Sequence, residues 1–162
     1  MARLGKLDVR GLRELQTKLN RLKSEQIKQF VEGCAKELAA RLLALVIPRT
    51  PVGKYNKYTG VQGGTLRRGW TAKTHSEAQS DKNVDPQAYA NSLEIKNDGE
   101  KLVIEIINPV EYASYVEYGH RTRNHKGWVE GRHMMTESVS ELQVIAPKVL
   151  EARIKRFLEN II

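Results

Sequence analysis

Leucines set the first rhythm of the chain. Leu12, Leu15, Leu19 and Leu22 recur at three- and four-residue spacing behind Asp8, a residue that can cap a helix. Ile27, Phe30, Val31, Cys34, Leu38, Leu42 and Leu45 carry the stripe to Ile47, and Pro48 and Pro51 stop it. The pattern predicts one long amphipathic helix, or two in series that restart at Ser24. Residues 1–23 form an N-terminal helical arm in this reading. The stripe spans too few heptads to mark a coiled-coil seam, so core packing is its expected use.

The rhythm then changes. Residues 49–64 hold Pro51, Gly53, Gly60, Gly63 and Gly64 and read as a loop. Residues 65–75 read as a strand with Leu66 and Trp70 turned inward, and residues 76–91 as an exposed polar connection. Residues 93–96 and 102–107 flank Asn97-Asp98-Gly99-Glu100, a hairpin signal in which Gly99 supplies positive φ. A small antiparallel sheet of about three or more strands follows from these stretches, with helices covering one face.

Asn108-Pro109 leads into a short aromatic helix with Tyr112, Tyr115 and Val116 on one side and Gly119 as its stop. A long loop over 119–131, basic and glycine-punctuated, is expected to be mobile. Residues 134–145 are helical, and Pro147 either kinks that helix or opens a last one through Val149, Leu150, Ile154, Phe157, Leu158 and Ile161. The expectation is a single α+β domain over residues 1–162, with no internal repeat and no linker.

Composition changes this picture little. The chain is 40% hydrophobic and 28% charged, the balance of a globular protein. No apolar run approaches the roughly 18 residues of a spanning helix, and the first eight residues lack the apolar stretch of a signal peptide. Synthesis in the cytoplasm, with no membrane partner, is the expectation. Cys34 lies on the apolar stripe and is expected to pack as a small hydrophobe.

Charge changes it more. Residues 1–74 hold 16 Lys/Arg against 5 Asp/Glu, whereas residues 75–162 hold 11 against 14. Halves of +11 and −3 fit a nucleic-acid partner, or a protomer that docks one half against the opposite half of a neighbour.

Two segments combine cations with aromatic rings. Lys54-Tyr55-Asn56-Lys57-Tyr58, with Arg67 and Arg68 beyond it, can grip a phosphate backbone and stack bases, or serve as a second interface. The other runs from Tyr112 to His133. Its donors Arg121, Arg123, Lys126 and Arg132 have Glu130 as the one acid nearby in sequence, and Trp128 is an interface-type anchor. A lid over the chain's own domain is the blander use of the same loop.

Catalytic patterns are weak. His120, His125 and His133 with Glu117 and Glu130 contain the residue types of a zinc site, but their spacing matches no zinc signature and their surroundings are basic. Glu111 and Glu117 stand six apart and fall on different helix faces. No nucleophile elbow or phosphate loop is present.

The order of motifs resembles a known family. Tyr112-Ala-Ser-Tyr-Val-Glu-Tyr-Gly-His120 precedes a Trp128-to-Met134 block of aromatic-Val-x-Gly-Arg-x-Met form. Upstream stand Pro48-Arg-Thr-Pro-Val52 and Gly64-Thr-Leu-Arg-Arg-Gly-Trp70. Together they are similar to the tail-completion, neck or head–tail joining proteins of tailed bacteriophages, typified by the lambdoid phage tail-component protein. The resemblance covers roughly residues 25–160. It differs from the family pattern in the segment between Val52 and Gly64, which is longer here, and at His133, where proline is frequent.

The resemblance implies a structural virion protein, with no enzyme activity and no cofactor. Its copies would form a homo-oligomeric ring, commonly sixfold, at the head-proximal end of a tail. They would join tail tube or terminator proteins to the connector or stopper, with genomic DNA passing through the channel unread. The expected subunit contacts are Tyr112, Tyr115, Glu117, Tyr118, Gly119, His120, Arg121, Arg123, Trp128, Gly131, Arg132 and His133. Two alternatives remain: a basic nucleic-acid-binding module on Lys54, Tyr55, Lys57, Tyr58, Arg67 and Arg68, which would show a steep salt dependence, and a metal-dependent hydrolase, which metal analysis would reveal.

Overall fold

The computed structural model describes Thr17, Asn20 and residues 24–97, 99 and 101–160. The expected arm over 1–23 lies, apart from Thr17 and Asn20, outside the described residues. Helix α1 spans Ser24–Arg49. Short helices α2 (Thr65–Gly69), α3 (His75–Gln79) and α4 (Pro86–Ser92) follow a single 3-10 turn at Lys57–Thr59. A hairpin of β1 (Lys96–Asn97) and β2 (Leu102–Val103) comes next. Then come α5 (Ala113–Tyr118), β3 (Gly119–Arg121), β4 (Trp128–Glu130) and the long α6 (Met134–Glu159). The fold is α+β, as the hydrophobic rhythm predicts.

Helix α1 buries Cys34, Ala39, Ala40, Leu43 and Val46 against α4 and α6. Pro48 sits inside its last turn, and the Thr50 amide closes that turn by donating to the carbonyls of Val46 (3.1 Å) and Ile47 (3.2 Å). Pro51 then prevents continuation. The core joins Leu43, Val46, Leu66, Trp70, Tyr89, Val110 and Met134. Full burial of a side chain such as Leu43 or Met134 contributes about 1.5–3 kcal/mol.

Four sequence expectations are corrected. Residues 65–69 are helical rather than extended. Leu66 and Trp70 do face inward, but four-residue spacing satisfies a helix face as well as a strand face. The helical choice is fixed by contacts distant in sequence. Trp70 Nε1 donates to Thr50 Oγ1 at 2.7 Å, and Asn108 Nδ2 donates to the Leu66 carbonyl at 2.8 Å. A Cβ on Gly69 would collide with the Asn108 side chain.

Residues 76–91 are not a mere connection. Thr74 caps α3 and Asp85 caps α4 through side-chain bonds to Glu77 N and Ala88 N, and Ala78, Tyr89 and Ala90 are buried. Among the described residues, four strands form two separate two-stranded hairpins rather than one sheet. In 102–107 the burial alternates residue by residue, with Ile104 and Ile106 against the core, yet only Leu102 and Val103 pair with a neighbour. Last, of the two outcomes expected at Pro147, a separate last helix is ruled out, because α6 runs through it to Glu159. Its far end is held by packing on α1, where Phe157 stacks on Phe30 with ring centroids 4.2 Å apart.

Candidate interaction surface

The segment from Tyr112 to Thr136 is a built unit. Val110, nearly fully buried, anchors its start, and the Val110 carbonyl accepts from Ala113 N at 2.9 Å. Helix α5 ends at Gly119, whose φ of 84° turns the chain directly into β3. Only glycine adopts this geometry without strain. Strand β3 pairs antiparallel with β4 in the register Gly119↔Glu130, His120↔Val129 and Arg121↔Trp128. The expected long loop is therefore a β-hairpin. Thr122 and Gly127 close its tip through two bonds of 3.0 Å, Thr122 N to the Gly127 carbonyl and Gly127 N to Thr122 Oγ1.

The base of the hairpin is locked to both helices. Arg132 N donates to the Val116 carbonyl at 2.7 Å, and His133 N to the Glu117 carbonyl at 3.1 Å. Gly131 lies so close to the backbone of Glu117 and Tyr118 that any Cβ would overlap it. Helix α6 begins at His133 with a left-handed backbone and no cap from its own side chain. Glu117 supplies the cap instead. Its carboxylate accepts from Met135 N (2.9 Å), Thr136 N (2.9 Å) and Thr136 Oγ1 (2.7 Å). A carboxylate at a helix N-terminus also answers the positive end of the helix dipole.

Burial by itself pushes the Glu117 carboxyl upward. The bonds from Met135 and Thr136 and the charge of His133 outweigh it, so the group lies below the ordinary carboxylate value. Glu117 thus faces inward, and its carboxylate is engaged within the chain.

The outer face is different. Tyr118 is 67% exposed, Tyr115 59%, Trp128 56% and Tyr112 41%, so four aromatic rings on this unit meet solvent. The Tyr115 ring stands tilted to that of His120 at 5.7 Å. Arg121, Arg123, Arg132 and His133 are exposed, and among the described residues no acid pairs with Arg121, Arg123 or Arg132. The three histidines do not converge: no group of three or more His, Cys, Asp or Glu among the described residues is placed to hold a metal ion.

The second segment splits. Lys54, Tyr55, Lys57 and Tyr58 are exposed. Arg67 and Arg68, expected beside them as DNA-facing, spend their guanidinium groups on the fold. Arg67 donates to the Thr50 carbonyl at 2.7 and 3.1 Å, and Arg68 to the carbonyls of Ala78 (3.0 Å) and Gly63 (3.3 Å). A groove of about 440 Å³ separates this loop from α5, with Tyr55 and Tyr112 among its walls. Burial raises the Tyr112 phenol and Tyr55 adds to that, while the Arg68 charge opposes it.

Sequence reasoning missed the capping role of Glu117 and the buried Thr50. The latter accepts from Trp70 and donates through Oγ1 to the Val46 carbonyl at 2.7 Å. Neither the Glu117 cap nor the Thr50–Trp70 bond had a local signal, since those partners lie 18 to 20 positions away. Cys34 is buried, as its place on the stripe predicts, and burial pushes its thiol upward.

The family model described as "Bacteriophage HK97-gp10, putative tail-component" matches residues 13–119. No curated protein and no solved structure matches the chain. The matched stretch runs from the N-terminal region through α5 to Gly119.

Proposed function

Because the chain belongs to the HK97-gp10-like family of bacteriophage tail components, we propose that it is a structural virion protein whose copies close into a ring in the neck. The ring, commonly sixfold in the family it resembles, completes the head-proximal end of the tail and meets the connector. Genomic DNA passes through its channel without sequence-specific contact. The protein is made in the host cytoplasm and resides in the particle.

One observation carries this reading: four exposed aromatic rings, three from Tyr112 to Tyr118 along α5 and Trp128 on β4, belong to a unit whose base is fastened to the core. Exposed aromatic rings on neighbouring elements are characteristic of interface anchors. A fixed base lowers the ordering cost of docking. The unpaired Arg121, Arg123 and Arg132 lie on the same segment as these rings and are available to acids on a neighbouring copy. Head-to-tail contact between unlike faces is the geometry that closes a ring.

The test is complementation of particles lacking the protein. Trp128→Ala and Arg132→Glu should each lower the yield of infectious particles while the purified variants stay folded. Normal yield with both variants would remove the assignment.

A further inference from the structure

A concentration of positive charge apart from the hairpin lies where α1 meets the second half of α6. Glu37 on α1 holds two guanidinium groups at once. Arg41 donates to it from the same helix at 2.8 Å, and Arg153 reaches it from α6. Their hydrogen bonds hold the Glu37 carboxyl below its ordinary value, and Glu37 in turn raises Arg153. One carboxylate therefore positions two arginines and leaves the cluster net positive.

A groove of about 600 Å³ opens beside this bridge. Lys148 and Arg156 stand along it, both exposed and neither ion-paired among the described residues. Glu37 is the one acid in its lining, against four cations. A second groove of about 540 Å³ continues on the other side of the same Glu37–Arg41–Arg153 bridge.

We propose that this α1–α6 groove binds the phosphodiester backbone of a nucleic acid. The lining favours that ligand over a protein segment. Its charged groups are four cations against one carboxylate, carried on helices over an apolar floor of Phe30, Val149, Ala152 and Phe157, with no free sheet edge to satisfy the main chain of an extended peptide. A phosphodiester presents acceptors only. Of the four cations, Arg41 and Arg153 are held by Glu37, which leaves Lys148 and Arg156, and the Arg156 guanidinium matches phosphate geometry in a forked fashion. Lys148 and Arg156 lie eight residues apart on α6, about 12 Å along the helix axis, a span that takes in more than one phosphate of a strand. The ligand is recognised by charge and shape, with no base reading. This groove replaces the pair Arg67 and Arg68, whose guanidinium groups are spent within the fold. It requires no particular particle role for the chain.

The test is fluorescence anisotropy of the full-length protein with a labelled oligonucleotide, single-stranded and annealed, across a salt series. Lys148→Ala/Arg156→Ala should bind about tenfold more weakly. On the single strand its log–log salt slope should be shallower by about 1.4, at about 0.7 per lost phosphate contact. Lys54→Ala/Lys57→Ala removes the same charge elsewhere and should leave affinity and slope close to wild type. Comparing the two oligonucleotide forms identifies which source of phosphate the groove prefers. Equal losses in the two variants, or none in either, would overturn the proposal. Displacement of the oligonucleotide by poly-glutamate at lower charge concentration would also overturn it, assigning the groove to an acidic protein. Circular dichroism of both variants separates lost binding from lost folding.

Discussion

The segments around Lys54–Tyr58 and Tyr112–His133 have the same ingredients: tyrosines, cations and glycines. They are built in opposite ways. The first is closed by neighbours. Asn56 Oδ1 caps the turn at Tyr58 N, Thr59 Oγ1 donates to the Asn56 carbonyl at 2.7 Å, and Gly60 ends it at φ 65° in open space. The second is closed by partners far along the chain, with Glu117 fixed to the start of α6 and Gly131 pressed on the backbone of α5. Composition alone does not separate a locally held turn from a fastened platform. Long-range anchorage does, and it is the reason the second segment is the one proposed as a docking surface.

The sharpest way to break this contrast is at Glu117. Glu117→Ala leaves three donors at the start of α6 without their acceptor and should cost about 3 kcal/mol in urea unfolding. Glu117→Gln keeps one acceptor and should cost about 2 kcal/mol. If either variant matches wild type, the hairpin is not anchored as described.

Gly131→Ala comes next. Its Cβ would meet the Glu117 carbonyl and the backbone of Tyr118 and Gly119, and about 2 kcal/mol should be lost. Gly60→Ala, in the locally built loop, meets no atom and pays only for its left-handed φ, about 1 kcal/mol. A larger loss at Gly60 than at Gly131 would reverse the comparison.

Acid titration gives a subtler test. The Glu117 pKa is lower in the folded chain than the ordinary 4.5, so its stabilisation is complete above that value and disappears as pH falls through the folded pKa. Glu37 acts in the same sense. Wild-type stability should therefore decline on acidification below about pH 4.5. Glu117→Gln should decline less over that interval, and an identical decline would show that the carboxylate is not ionised in its cap. The smallest effect belongs to the exposed loop: Lys54→Ala/Lys57→Ala should change unfolding free energy by less than about 0.5 kcal/mol.

Where periodicity was continuous, the sequence was a good guide. The stripe from Ile27 to Ile47 became α1, and the recurrence from Val149 to Leu158 became the second half of α6. Leu66 and Trp70 were legible as core but not as helical, since their four-residue spacing fits two structures and distant Thr50 and Asn108 decide between them. The segment 119–131 stood out in the sequence for its charges and aromatic rings but not as a hairpin, because its three-residue strands carry charged and aromatic side chains rather than an apolar alternation. The fates of Arg67 and Arg68 were illegible for a related reason. Whether an arginine faces a partner or a backbone carbonyl is settled by where the chain returns, and those carbonyls belong to Thr50, Gly63 and Ala78.

The most direct test of the docking platform is solution mass by light scattering across concentration, with and without tail tubes of the parent particle. The account predicts that wild type forms a closed oligomer of the 18.4 kDa protomer, alone or on tubes. Tyr118→Ala/Trp128→Ala should remain a folded monomer under both conditions. A wild type that stays monomeric throughout, or a double variant that builds the same ring, would contradict it.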